Sequence, residues 1–255
     1  MTLTTMTRHS ALILIGNEIL SGRTRDENTQ FLAKKLGELG IPLREVRMIP
    51  DTREVIIRCV VELRAAFDEV FTTGGIGPTH DDITSPCVAE AFGVPLEHHI
   101  PTFTLLENHF GKENFNAARQ RMAYLPQGAT PIENPISLAP GFSLGNVHVM
   151  AGVPRIMRAM FDNLAPRLKK GTPVLSITWH VFSLYEGSLA EGLEAIQNLY
   201  PQLDIGSYPF HRENGIYGVA LIAKGQDSAA VQKAASDIRT LIAATGKEPI
   251  QGEPF

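Results

Sequence analysis

Between Ala11 and Gly93, short apolar runs alternate with amphipathic stretches of helical period, joined by short links. Ala11–Ile15 is continuously apolar, the pattern of a strand covered on both faces in a parallel sheet. Gly16-Asn17-Glu18 breaks that run, and Gly22 adds a flexible point. Thr24 and Glu27 have capping-box spacing. They predict a helix with Leu32, Leu36 and Leu39 on one face and Gly40 closing it. Leu43–Ile49 alternates as a second strand. Asp51 or Thr52 then caps a helix that groups Ile56, Val60, Leu63 and Phe67. Val70–Thr72 is a third strand, and Ser85-Pro86 opens a helix that Gly93 ends. Such alternation implies βαβ units, a largely parallel sheet and right-handed crossovers.

Sheets of this kind bind ligands beyond the carboxyl ends of their strands. Two loops reach that edge: Gly16-Asn17-Glu18 and the stretch from Thr73 to Asp82. The second holds Gly74, Gly75 and Gly77 within four positions, followed by Asp81 and Asp82. Glycine allows close backbone approach, and successive free N–H groups form an anion nest. Two carboxylates beside such a nest suit a hard divalent cation. A plainer reading stays open, since glycine turns also end strands and Asp also opens helices.

Beyond Gly93, Pro101–Phe110 and Asn114–Ala123 read as helices. The second carries Arg119 and Arg121, two positions apart and so on different faces. Either reaches a phosphate or covers a solvated surface, and the latter is the simpler reading. Phe142–Val149 alternates about Gly145-Asn146, a hairpin pattern. Ala151-Gly152-Val153-Pro154 leads into a helix with Ile156, Met157, Met160, Phe161 and Leu164 inside. Arg167–Pro173 is a polar link where a domain boundary is placed. Strands at Val174–Phe182, Ile205–Pro209 and Ile216–Ala223 follow, with helices at Ser188–Leu199 and Asp227–Ala244. The expected architecture is α/β: a three-layer, mostly parallel sheet over residues 10–168, then a small α+β domain over 172–250. Residues 1–9 are expected to be a flexible tail, and 246–255 a loose end.

Net charge is −4, so neither nucleic acid nor an anionic membrane is an expected partner. No apolar run reaches transmembrane length, and no secretory signal is evident. A cytoplasmic location is the default expectation. Cys59 and Cys87 make neither a disulfide framework nor a metal cluster, and both read as core residues.

The residues from Thr73 to Thr84 resemble the signature of the molybdopterin-binding (MoaB/MogA-like) fold. More narrowly, they are similar to the branch shared by CinA-type proteins and the molybdopterin-binding-like domain of eukaryotic FAD synthases. Gly16-Asn17-Glu18-Ile19-Leu20-Ser21-Gly22, Asp26-Glu27-Asn28, Asn134-Pro135 with Ala139-Pro140-Gly141-Phe142, and Ala151-Gly152-Val153-Pro154 with Met157 match that branch in order and spacing. Ala151 stands where the family usually has Pro. Residues 172–250 resemble the KH-like domain that follows in CinA-type proteins. Many of those continue into a domain that deamidates nicotinamide mononucleotide, an activity not expected of this sequence.

The resemblance implies a small ligand, nucleotide or pterin, with a phosphate or pyrophosphate group. It implies metal-dependent cleavage of ADP-ribose or FAD-like dinucleotides, or alternatively binding or adenylylation of molybdopterin. On that scheme Gly74, Gly75 and Gly77 hold a phosphoryl group through their amides. Asp81 or Asp82 holds a divalent metal, Mg or Co, with Asp81 preferred. Glu18 orients the metal or water, and Asn28 reaches a ribose or phosphate. Gly16, Thr73, Pro140, Gly141, Gly152 and Pro154 complete the expected ligand contacts. His80 is not expected to be essential, because relatives usually carry Glu there. A homo-oligomer is expected. Gly215-Ile216-Tyr217-Gly218 spells a KH-type GXXG loop, but its apolar centre predicts a turn opening a strand.

Overall fold

The computed structural model describes residues 8–254. The chain divides into two units between Gly171 and Thr172. In the first, β1 (Ser10–Ile15) is covered on both sides, and its side chains alternate between two cores. Ala11, Ile13 and Ile15 pack on one side, Leu12 and Leu14 on the other. That division explains why the strand reads as an unbroken apolar run. A helical turn α1 (Asn17–Leu20) follows, then α2 (Asn28–Glu38), β2 (Leu43–Ile49), α3 (Arg53–Ala66) and β3 (Glu69–Thr73). Next come α4 (Thr84–Phe92), β4 (Leu96–His98), α5 (Ile100–Phe110), α6 (Ala117–Gln120), β5 (Tyr124–Pro126) and β6 (Thr130–Ile132). The hairpin β7 (Gly141–Leu144) and β8 (Val147–Met150) leads to α7 (Pro154–Leu164).

The main sheet has the order β2-β1-β3-β8-β7-β6. Its first four strands are parallel, and β7 and β6 run antiparallel to their neighbours. α3 and α4 cover one face through Ile56, Val60, Leu63, Cys87 and Val88. α2 and α7 cover the other through Leu32, Leu36, Met157, Met160 and Phe161. The layer expectation therefore holds, and Met157 and Met160 are core residues. β4 and β5 pair separately. α5 and the segment after it enclose a small core of Leu106, Phe115 and Ala123.

Several local expectations give way to tertiary contacts. The predicted Thr24–Glu27 capping box is not used. Asp26 Oδ1 instead accepts from the Asn28 and Thr29 amides at 2.9 and 3.1 Å. Gly40 does close α2, at φ 75°, with Gly40 N donating to Gly37 O and Ile41 N to Leu36 O. These two bonds form a Schellman motif. Ser85 does not start its helix. Thr84 does, because its hydroxyl donates to Gly74 O and its amide to Gly75 O. The helix predicted over Asn114–Ala123 shrinks to α6 and a 3-10 turn at Arg121–Ala123. The expected tail lies mostly outside the described residues, but Arg8 and His9 are tied down. Arg8 pairs with Glu69 at 2.6 Å, and His9 N donates to Asp68. Glu69 also meets His148 Nε2 at 2.9 Å, and His148 Nδ1 meets Ser143 Oγ at 2.8 Å. From Glu69 through His148 to Ser143, each buried polar side chain has a partner, as burial demands.

The second unit is an antiparallel sheet of order β10-β11-β9-β12. Its elements are β9 (Leu175–Phe182), α8 (Ala190–Leu199), β10 (Asp204–His211), β11 (Tyr217–Gly225), α9 (Ser228–Ala244) and β12 (Ile250–Gln251). Asp227 caps α9 by accepting from Ala229 N and Ala230 N. Gly215 sits in the turn before β11, so the GXXG spelling is a turn and strand start. The predicted loose end is wrong for its central part. β12 pairs with β9, and His180 Nδ1 meets Gly252 O at 2.7 Å.

Cys59 and Cys87 are both buried. Burial pushes the Cys87 thiol up to about 11. At pH 8 it is therefore neutral, and only the thiolate attacks a disulfide reagent. Native protein at pH 8 is expected to react with a thiol-reactive chromophore at least ~100-fold more slowly than protein in denaturant. Rapid native labelling of Cys87, located by peptide mapping, contradicts this placement.

Candidate functional site

The carboxyl ends of β1, β3 and β8 lie side by side in the sheet. The loops leaving them enclose a cavity of about 680 Å³. That volume falls in the usual range for small-molecule sites. Its floor is the turn after β3, where Gly74 takes φ 104° and Gly75 φ 69°. Gly74 N donates to Met150 O at 3.1 Å, so the Gly74 amide is committed to the sheet. This corrects the expected phosphate nest. The amides of Gly75, Ile76 and Gly77 carry no internal hydrogen bond among the described residues, and all three residues line the cavity. The free amides of the turn are therefore those of Gly75, Ile76 and Gly77, not that of Gly74.

The acids separate in space as they do not in sequence. Asp82 lines the cavity and Asp81 does not. Asp82 Oδ2 accepts from the Thr79 amide at 2.8 Å and from the Thr79 hydroxyl, which folds the loop around that carboxylate. Asp81 is exposed, its side chain 59% accessible. Of the two acids named as candidate metal ligands, Asp82 is the one on the cavity wall. His80 is 95% exposed and outside the cavity. Glu18, on α1, also lines the cavity. Its carboxylate folds back over Gly16, where a Cβ would lie 2.5 Å from Oε1. Gly16 itself does not line the cavity, nor do Pro140 and Gly141. Gly141 instead begins β7, pressed against the Val149 carbonyl. Thr73, Asn28, Gly152 and Pro154 line the wall as expected.

Among the described residues, no three of His, Cys, Asp and Glu converge as a ready-made metal centre. Asp82 and Glu18 both line the cavity, and so small a carboxylate set suits a magnesium-like ion, which keeps several waters and takes its other ligands from substrate phosphates.

Sequence reasoning set aside Arg119, which lines the cavity. Its guanidinium lies 4.4 Å over the Phe110 ring, and Nη1 donates to Asn114 O at 2.6 Å. Arg121 is the strut, with Nη2 donating to Pro78 O at 2.6 Å beside the glycine turn. The two arginines divide the work, one facing the ligand space and one fastening α6 to the loop. Their i, i+2 spacing was the available signal, and it did not say which did which.

A family model described as probable molybdopterin binding domain matches residues 11–170. A second, FAD synthase, middle domain, matches residues 174–248. The chain belongs to the molybdopterin-binding domain family, in its CinA-type branch. A protein of Pyrobaculum arsenaticum is 33% identical over 208 residues, 78% of each chain. A CinA-like protein of Anaeromyxobacter dehalogenans is 36% identical over 157 residues, covering 59% of this chain but 38% of its own length. The structure of the protein CinA from Thermoplasma acidophilum is similar at TM-score 0.60 and 30% identity, over 63% of this chain and 98% of that one. Family and relatives support a nucleotide- or pterin-binding role. No helix among the described residues is long and apolar enough to cross a membrane.

Proposed function

We propose that the first unit is a metal-dependent pyrophosphatase acting on ADP-ribose or FAD-like dinucleotides. The observation that carries it is one cavity holding free amides at Gly75–Gly77, carboxylates at Asp82 and Glu18, and a guanidinium at Arg119. The amides take the oxygens of one phosphoryl group, and Arg119 neutralises the next. Asp82 and Glu18 would hold the metal, which would supply charge neutralisation and a more acidic water. Through the carboxylate oxygen left off the metal, Glu18 would accept the proton of the attacking water as the P–O bond to the second phosphate breaks and that phosphate leaves on its bridging oxygen. The FAD synthase match over residues 174–248 supports a dinucleotide substrate.

The test is direct: purified protein is incubated with ADP-ribose, then FAD, across magnesium, manganese and cobalt, and AMP is measured. AMP release that chelation abolishes is the expected result; no AMP from either substrate with any metal overturns the reading. A second reading, binding or adenylylation of molybdopterin, draws on the family description. Pterin fluorescence in the purified protein favours it. Oligomerisation and a cytoplasmic location remain part of the proposal and are read by light scattering and fractionation.

A further inference from the structure

Phe110, at the end of α5, and Arg119, on α6, both line the cavity and are half-buried, as is Met122 beside them. Phe110 and Met122 pack on the small core of Leu106, Phe115 and Ala123, so this wall has an apolar base of its own. The Phe110 ring is tilted 13° from the buried Phe115 ring, 6.3 Å away. Phe103 meets Phe115 edge-on at 4.8 Å and fixes it. The guanidinium carbon of Arg119 stands 4.4 Å from the Phe110 centroid, within the range of cation–π attraction. Two hydrogen bonds hold the arginine there: Nη1 donates to Asn114 O at 2.6 Å, and its backbone N–H to Asn116 Oδ1 at 3.1 Å. Among the described residues Arg119 makes no ion pair. A planar cation is thus fixed over an aromatic ring at the cavity wall, with no carboxylate to occupy it.

Such a pair is a surface on which a further planar group stacks, because both aromatic rings and guanidinium planes take heteroaromatic bases face-on. The in-plane N–H groups of Arg119 not bonded to Asn114 still point to phosphate, so the face and the edge serve different parts of one ligand. The platform lies beside the phosphoryl end of the cavity, since Arg121, two residues on, donates to Pro78 O at 2.6 Å next to the free amides of Gly75–Gly77. Asn134 also lines the cavity, and the Ala139 carbonyl it bonds belongs to a residue packed on the same small core. Its amide is fully committed within its own loop. Nδ2 donates to Ser137 Oγ and Ala139 O, and Oδ1 accepts from the Ile136 and Ser137 amides. This amide therefore does not read the edge of a base, and stacking area is left to recognise the ring. We propose that Phe110 and Arg119 form a stacking platform for the base of a nucleotide, selecting purines over pyrimidines by ring area and accepting adenine and guanine alike. The proposal rests on the nucleotide reading above and names what holds the base, the part that ADP-ribose and FAD share as adenine.

Calorimetric titration of the full chain with ADP, GDP and UDP tests it. Wild-type protein is expected to bind ADP and GDP within threefold of each other, and each about tenfold more tightly than UDP, the scale of base stacking. Arg119→Lys keeps the charge and loses the plane; Phe110→Leu keeps apolar bulk and loses the ring. In both, the ratio of ADP to UDP affinity is expected to fall below threefold. Side chains that merely support the fold would weaken all three nucleotides together, so a ratio that stays above threefold in the folded variants overturns the proposal. If Phe110→Leu does not fold, Arg119→Lys and the wild-type comparison decide. A wild-type ratio of ADP to UDP below threefold overturns it while leaving the nucleotide reading intact. A difference between ADP and GDP above threefold means that the edge of the base is read, and also overturns it. No binding of any of the three at millimolar concentration removes the nucleotide reading and this proposal with it.

Discussion

Asp82→Asn is expected to lower kcat/KM for AMP release from ADP-ribose at least ~100-fold, the scale of removing one preorganised electrostatic group. Asparagine keeps the shape of Asp82 and one acceptor oxygen. The Thr79 amide, now bonded to Asp82 Oδ2 at 2.8 Å, can still be satisfied. What disappears is the negative charge on the cavity wall. The thermal midpoint is therefore expected to move by no more than about 2 °C, the effect of a change under ~1 kcal/mol in a unit of this size. The neighbouring change, Asp81→Asn, removes an exposed carboxylate outside the cavity. It is expected to leave kcat/KM within about threefold. If Asp81→Asn inactivates and Asp82→Asn does not, the assignment of the two acids is reversed. Parallel activity and melting measurements on both variants separate loss of charge from loss of fold.

Gly74→Ala is expected to destabilise the first unit by about 3–5 kcal/mol, combining an unfavourable φ with overpacking. Gly74 has φ 104°, and a Cβ there would overlap the Ile15 carbonyl oxygen at the end of β1. Backbone, not a flexible side chain, is what the methyl meets. Relief would require parting β1 from β3, which are paired at Leu14 and Thr73. The thermal midpoint should fall by about 10 °C. Gly37→Ala is the contrast. Gly37 lies within α2 with open space where its Cβ would go, so alanine should stabilise by about 0.5–1 kcal/mol. A Gly74→Ala protein that melts with wild type shows that the turn relaxes without cost.

Much of the first unit was legible because its signals are local. A strand covered on both faces must be apolar throughout, as Ala11–Ile15 is, and a helix packed on one side must repeat near every 3.6 residues, as Ile56, Val60 and Leu63 do. The glycine turn was legible for a similar reason, since the backbone path at Gly74 excludes a side chain. The helix starts were less legible. The signals at Thr24 and Ser85 are short and were outbid by Asp26 and Thr84, whose partners become available only when the turn is folded. The paired β12 was missed because a two-residue strand has no period to read.

The sequence by itself determined the alternation of β1 to α4 and which loop must be glycine, because those choices depend on neighbours along the chain. The tertiary structure alone decided which groups face the cavity. Pairing of β8 beside β3 puts Met150 O on the Gly74 amide and moves the free amides to Gly75–Gly77. Folding of Thr79 onto Asp82 selects one of two adjacent acids. A hydrogen bond from Arg121 to Pro78, 43 residues away, fastens α6 beside the turn and accompanies Arg119 at the cavity wall. One from Asn28 to Gly152, 124 residues away, ties the start of α2 to the loop before α7. Apart from Thr79 and Asp82, three positions apart, these are contacts between residues distant in sequence, and no local period or propensity records which distant group will arrive.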